Sequence, residues 1–278
     1  MAYKSILMVW DGRDDSLPAL NAAIDLTAKN NGHLDVLCVG INYLQPGMYY
    51  SEASTYVSND DFKNTCAAAD SFKTSAEKVL KKSDVNWSCQ TAVTAMNGLS
   101  TVIKNAAWFS DLVILPQPYG HSGKEKSVNT FEAALFQGNS PVLVYPLQET
   151  QDMGKKIVVA WNETAESLNA ARAALPYLQE AEVVDIAIID PDTHDPDHAD
   201  PGTDLSKLLA RHDVNVKVSI LPRSVPRVSD VLRQRATEIG AGLIVMGAYG
   251  HSRLRESILG GATRNMLENV KVPVLMAH

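Results

Sequence analysis

The residues best suited to chemistry lie in one segment near the C-terminus. It reads Gly247-Ala-Tyr-Gly250-His-Ser-Arg253-Leu-Arg255-Glu-Ser-Ile-Leu-Gly260-Gly261-Ala262-Thr263-Arg264, a Gly-x2-Gly-x9-Gly-Gly spacing that runs into a helical pattern. Glycines let the backbone approach an anion closely. The free N–H groups and the dipole of a helix starting near Gly261 favour a phosphate. Thr263 adds a hydroxyl, and Arg253, Arg255 and Arg264 add positive charge to a chain whose net charge is −7. No Gly-Lys-Ser/Thr follows, so the segment is not a Walker loop. The spacing is wrong for a dinucleotide fingerprint, and Gly250-His251-Ser252 lacks the second glycine of a nucleophile elbow.

Other chemistry-bearing residues are weaker signals. Asp11 ends an apolar run and reads as a turn residue or helix cap. His121 and His251 occupy matching places in the two halves of the chain and read as loop histidines with local hydrogen bonds, a phosphate or substrate contact being the alternative. The stretch Asp190-Pro-Asp-Thr-His194-Asp-Pro-Asp-His198-Ala-Asp200 has imidazoles and carboxylates that could ligate zinc. Its prolines and lack of period favour a solvated loop instead. Cys38, Cys66 and Cys89 are widely spaced, odd in number and without a Cys-x-x-Cys pair, so reduced structural thiols are expected.

The elements that must position these groups repeat. Residues 5–11, Ser-Ile-Leu-Met-Val-Trp10-Asp11, match residues 156–162, Lys-Ile-Val-Val-Ala-Trp161-Asn162. Asp111-Leu-Val-Ile-Leu before Tyr119-Gly-His-Ser122 matches Gly242-Leu-Ile-Val-Met246 before Tyr249-Gly-His-Ser252. The offset falls from 151 at the front to about 131 at the back, so the first half carries about 20 extra residues, placed between 42 and 80. Two domains are expected, 1–150 and 151–278, with a linker near Pro146–Gly154. Strands are expected at 4–10, 34–40, 85–92, 111–115 and 141–145, then at 156–161, 183–189, 214–220, 242–246 and 273–277. Helices are expected near 164–179, 203–212, 227–240 and 261–269. Apolar runs without strict alternation, alternating with helical patterns, predict α/β domains with parallel sheets.

Composition closes off other classes. With 45% hydrophobic and 21% charged residues, the chain reads as globular. Its acidic balance argues against a nucleic-acid partner. No apolar run approaches the ~18 residues of a membrane span, and the first apolar run is too short for a signal peptide, so a cytoplasmic location is expected.

The glycine spacing, the two-fold repeat and the terminal Val-Pro-Val-Leu-Met resemble the universal stress protein family in its tandem form. The resemblance implies two doubly wound parallel five-stranded sheets of the adenine-nucleotide α-hydrolase-like class, arranged as an internal pseudo-dimer through strands 141–145 and 273–277, with further association into a homodimer open. It implies ATP or AMP, with or without Mg, in the C-terminal domain. Phosphates would sit on Gly247, Gly250, Gly260, Gly261, Ala262 and Thr263, with Arg253 alongside, and the adenosine near Trp161, Asn162, Ile188 and Met246. Two positions depart from the pattern: Gly261 stands where the family has Ser or Thr, and Asn162 where it has Asp. The first half keeps Asp11, but Gln117 replaces its first glycine and Thr130-Phe131 its third pair. That domain is expected to be degenerate, its loop with Lys124 and Lys126 packing or binding something else. The expected function is a stress-response protein that binds nucleotide as a regulator and not as a catalyst. The alternatives are a ligand-free scaffold acting through protein partners, or a slow ATPase using Glu163.

Overall fold

A computed structural model describes residues 2–43, 52–119, 124–148, 153–191, 200–248 and 261–278, with 52–59 and 124 described by their backbone alone. The chain divides into two compact units: Ala2–Pro116 with His121–Ser140, and Gln117–Gly120 with Pro141–His278.

The N-terminal unit is built on four parallel strands, β1 Ser5–Trp10, β2 His33–Asn42, β3 Asn86–Ala95 and β4 Leu112–Pro116, in the order β3-β2-β1-β4. Ile6 to Trp10 and Leu112 to Leu115 are all buried. A strand buried on both faces has no reason to alternate, which is why these runs read as continuously apolar. The helices are α1 Leu17–Asn30, α2 Glu52–Leu80, α3 Leu99–Ala107 and α4 Lys124–Glu132. The extra residues of the first half form most of α2, a single helix of 29 residues. Trp10 is held beneath it, its indole Nε1 donating to Ser75 Oγ at 2.9 Å.

The C-terminal unit contains β5 Val142–Tyr145, β6 Lys156–Trp161, β7 Val183–Ile189, β8 Val216–Leu221, β9 Leu243–Gly247 and β10 Val274–Ala277, in the order β5-β10-β9-β6-β7-β8. Five of them run parallel. The sixth, β5, pairs with β10, the pairing that the family resemblance implied, and runs antiparallel to it, Leu143 facing Leu275. Its helices are α5 Ala165–Ala173, α6 Leu175–Leu178, α7 Thr203–Ala210, α8 Val228–Ile239 and α9 Gly261–Glu268. One helix was expected over 164–179. The structure breaks it at Ala174, and Pro176 lies in the first turn of α6, where its missing N–H costs nothing. Among the described residues no helix is long and apolar enough to cross a membrane.

Candidate functional site

The parallel strands of the C-terminal unit end on one edge, and the strand order puts β6 between β9 and β7. Ligands on open α/β sheets sit beyond such carboxyl ends. Trp161 is the last residue of β6, half-buried, and registers with Ile188 on β7, which is 3% exposed. Ala160 registers with Met246 on β9. The residues expected around an adenosine therefore fall on three adjacent strand ends.

Asn162 follows β6 and is exposed. Its Oδ1 accepts from the Thr164 hydroxyl at 2.9 Å, while Thr164 Oγ1 in turn accepts from Ser167 N at 3.3 Å and caps α5. Asn162 is thus tied into the first turn of α5, and Glu163 between them adopts a left-handed φ of 60°. The Glu163 side chain is exposed, beside the strand end.

Gly247 closes β9 against the same helix start. A Cβ there would lie 2.5 Å from Ser167 N and 2.7 Å from the Glu166 carbonyl carbon. This glycine is required by the packing of α5 on the strand end, quite apart from any ligand. The residue after it is clamped by the chain terminus: Ala248 N donates to Ala277 O at 2.9 Å, and His278 Nδ1 lies 2.9 Å from Ala248 O.

Tyr249 to Gly260 lie outside the described residues, and with them Gly250, His251, Arg253, Arg255 and Gly260. At the far end, Gly261 opens α9, and a Cβ placed there meets nothing within 4 Å among the described residues. Gly261 and Ala262 are exposed, so the backbone of the first turn faces open space. Thr263 is 3% exposed, its side chain packed into the protein. Arg264 is spoken for: its Nε bonds Glu268 Oε1 at 2.9 Å one turn on, which holds the guanidinium above its usual range.

The matching place in the first half is built differently. Asp11 Oδ2 lies 2.6 Å from Arg13 Nε, and its Oδ1 accepts from Arg13 N. Gln117, at the first-glycine position, is 8% exposed and donates from Nε2 to the carbonyl of Glu268 at 3.2 Å. Thr130 and Phe131, at the third glycine pair, are buried core residues. The ring of Phe72 covers Gly12 so closely that a Cβ there would lie 2.1 Å from it. Sequence reasoning missed Phe72, because only α2 brings it back to the end of β1. Gly120, His121 and Ser122 lie outside the described residues, as does the side chain of Lys124.

Two further arrangements were not expected. Cys38 and Cys89, on neighbouring strands, have their Sγ atoms 3.8 Å apart. Their mutual hydrogen bond and burial push the Cys38 thiol up, while the same bond draws Cys89 below its usual range. Asp185, 1% exposed on β7, accepts from Arg235 Nε of α8 and from Ser219 Oγ of β8, both at 2.6 Å. The His194 and His198 stretch lies outside the described residues. Among the described residues no group of three or more His, Cys, Asp or Glu side chains could hold a metal ion.

Against this geometry stands a family match. Residues 153–278 fit the model of the universal stress protein family. Over its whole length the fold is similar to that of a universal stress protein from Archaeoglobus fulgidus, with a TM-score of 0.69 at 15% identity, covering 98% of this chain and 97% of the other. A functionally unknown protein from Pseudomonas aeruginosa is similar at TM-score 0.54 and 17% identity, over 99% of this chain and 92% of its own. At such identities the likeness concerns the fold alone. No curated protein matches the chain.

Proposed function

We propose that the C-terminal domain binds an adenine nucleotide, ATP or AMP, and that the loaded domain acts as a regulatory element in a stress response, with residues 1–150 as a degenerate companion domain. The observation that carries this reading is the open backbone at Gly261 and Ala262, at the start of a helix that follows the strand-four glycine spacing. Exposed N–H groups at a helix start favour phosphate oxygens. The match of residues 153–278 to the universal stress protein family model supports it. Trp161, half-buried, supplies apolar surface for a base, with the buried Ile188 and Met246 on the adjoining strand ends, and Asn162 supplies a neutral oxygen for a ribose hydroxyl. Gly247, Gly250, Gly260, Gly261, Ala262, Thr263 and Arg253 are assigned to the phosphates. Asn162 carries no charge for a metal, and Glu163 sits exposed, which favours binding over turnover.

The test is the melting temperature of the full chain with and without millimolar ATP–Mg, with mass analysis of anything released on denaturation. Nucleotide at 100 times its dissociation constant adds about 2.7 kcal/mol, a rise of several degrees for a domain of this size. The rise should vanish in Gly250→Leu/Gly260→Leu. No rise and no released nucleotide would overturn the reading in favour of a scaffold. Turnover above background that Glu163→Gln abolishes would make the protein an enzyme.

A further inference from the structure

The N-terminal unit holds a cavity that nucleotide binding in the other domain leaves unused. Its volume is about 540 Å³, and it lies between the carboxyl end of β2 and one face of α2. That size suits a drug-sized organic molecule. Ile41, Ala68 and Phe72 give it apolar walls, and Lys126 from α4 enters it.

Lys126 is the informative residue. Its Nζ donates to the Val39 carbonyl at 2.7 Å and stands 5.6 Å from the centre of the Phe72 ring. An ammonium has three donors, and one is used. Among the described residues Lys126 has no ion pair. The Asp11 carboxylate acts on it electrostatically but is held by Arg13 at 2.6 Å. Burial pushes the Lys126 ammonium below its usual range, with Asp11 pulling the other way. A half-buried cation in that state gains from an anion that comes with a ligand.

The shape of the site says which anion. The position is not a phosphate cradle, because Gln117, Thr130 and Phe131 stand where glycines would be and Phe72 covers Gly12. Among the lining residues Lys126 is the one cation and no arginine contributes a guanidinium fork, which suits a compact single anion better than a polyphosphate. Asp61 lines the opposite end, 11 residues along α2 from Phe72, hence about 16 Å away at 1.5 Å per residue. It disfavours a second negative group there. Tyr43 is 68% exposed and Asn64 is exposed, so that end opens to solvent.

We propose that this cavity binds an organic monocarboxylate with an aromatic or aliphatic body, its carboxylate against Lys126 Nζ and its body along Phe72, Ala68 and Ile41. The site is separate from the nucleotide site, and neither depends on the other. Calorimetric titration of the full chain with 2-naphthoate at pH 7 tests it, with the uncharged 2-naphthylmethanol as control. One saturable site is expected. Lys126→Met should weaken naphthoate about tenfold, the worth of a charge-assisted hydrogen bond, and change naphthylmethanol less than about twofold. Lys126→Arg should recover part of the naphthoate affinity, and Ala68→Trp, which fills the cavity, should weaken both probes. Excess ATP–Mg should leave the isotherm unchanged. Absence of saturable binding at millimolar naphthoate, equal naphthoate affinity in Lys126→Met, or competition by ATP–Mg would each overturn the proposal.

Discussion

Of the two described glycines in the candidate site, Gly247 has the less freedom. The 2.5 Å approach of Ser167 N to its absent Cβ involves backbone, which cannot swing aside. Gly247→Ala should therefore cost about 1–3 kcal/mol by overpacking and lower the melting temperature by several degrees, with or without nucleotide. Gly261→Ala meets open space and should leave the unliganded melting temperature nearly unchanged. Equal melting of the two variants would contradict this. The cysteine pair makes a second prediction. Cys89 is half-buried with a lowered thiol, and Cys38 is fully buried with a raised one. Since the thiolate is the reactive form, iodoacetamide at neutral pH should modify Cys89 well before Cys38, as read by peptide mass spectrometry. Lys126 gives a pH dependence. Its folded-state value is lowered, so between that value and the ordinary 10.5 the unfolded chain binds more protons. Stability then rises with pH in that window. In denaturant titrations the wild type should gain on Lys126→Met as pH approaches 10.5, and a constant difference would refute the assignment.

Among the elements, α5 and α8 carry the C-terminal edge. Thr164 caps α5 through its hydroxyl and at the same time anchors Asn162. Thr164→Ala should cost about 1 kcal/mol of stability and, if Asn162 orients a nucleotide, should weaken that binding as well. The Asp185–Arg235 pair ties α8 to β7, and Ser219 extends it to β8. Removing one partner of a buried pair strands the other, so Asp185→Asn should destabilise by about 3 kcal/mol or more. Chemical denaturation measures it directly, and a loss under about 1 kcal/mol would mean that water satisfies Arg235. In the other unit, α2 is the element that separates the two halves of the repeat. It brings Ser75 onto Trp10 and Phe72 onto Gly12, and it forms one wall of the cavity.

At the scale of the whole molecule, two related domains have diverged in what their strand ends hold. In the C-terminal domain Trp161 stays half-buried at the edge, while its counterpart Trp10 is 2% exposed under α2. Asn162 is exposed, while Asp11 is neutralised by Arg13. Under the proposed function, nucleotide is expected to stabilise the C-terminal unit alone. Hydrogen exchange on the full chain with ATP–Mg should show added protection in β6, β9 and α9 and none in β1, β2 and α4. Protection spread equally over both sets would show the two domains responding together.

The repeat, the strand succession and the helices of the second half were legible in the amino-acid sequence, whereas the pairing of 141–145 with 273–277 followed from the family resemblance. Continuous apolar runs alternating with helical patterns point to a parallel sheet buried on both faces, and matching segments in the same order along both halves point to a duplicated fold. The glycine spacing was legible too, and so was the place of the inserted residues, because glycine and length leave marks in one dimension. Their conformation as one long helix was not read. The break at Ala174 and Pro176 was missed because the apolar period runs through it. The occupants of the first domain's strand ends were missed for a deeper reason. Phe72 reaches Gly12 across 60 residues of chain, Cys89 reaches Cys38 across 51, and Asp185 finds Arg235 across 50. Sequence periodicity reports which face a residue presents. Which distant side chain meets that face, and so whether a strand end is open to a ligand or filled by the protein itself, is decided only when the helices pack.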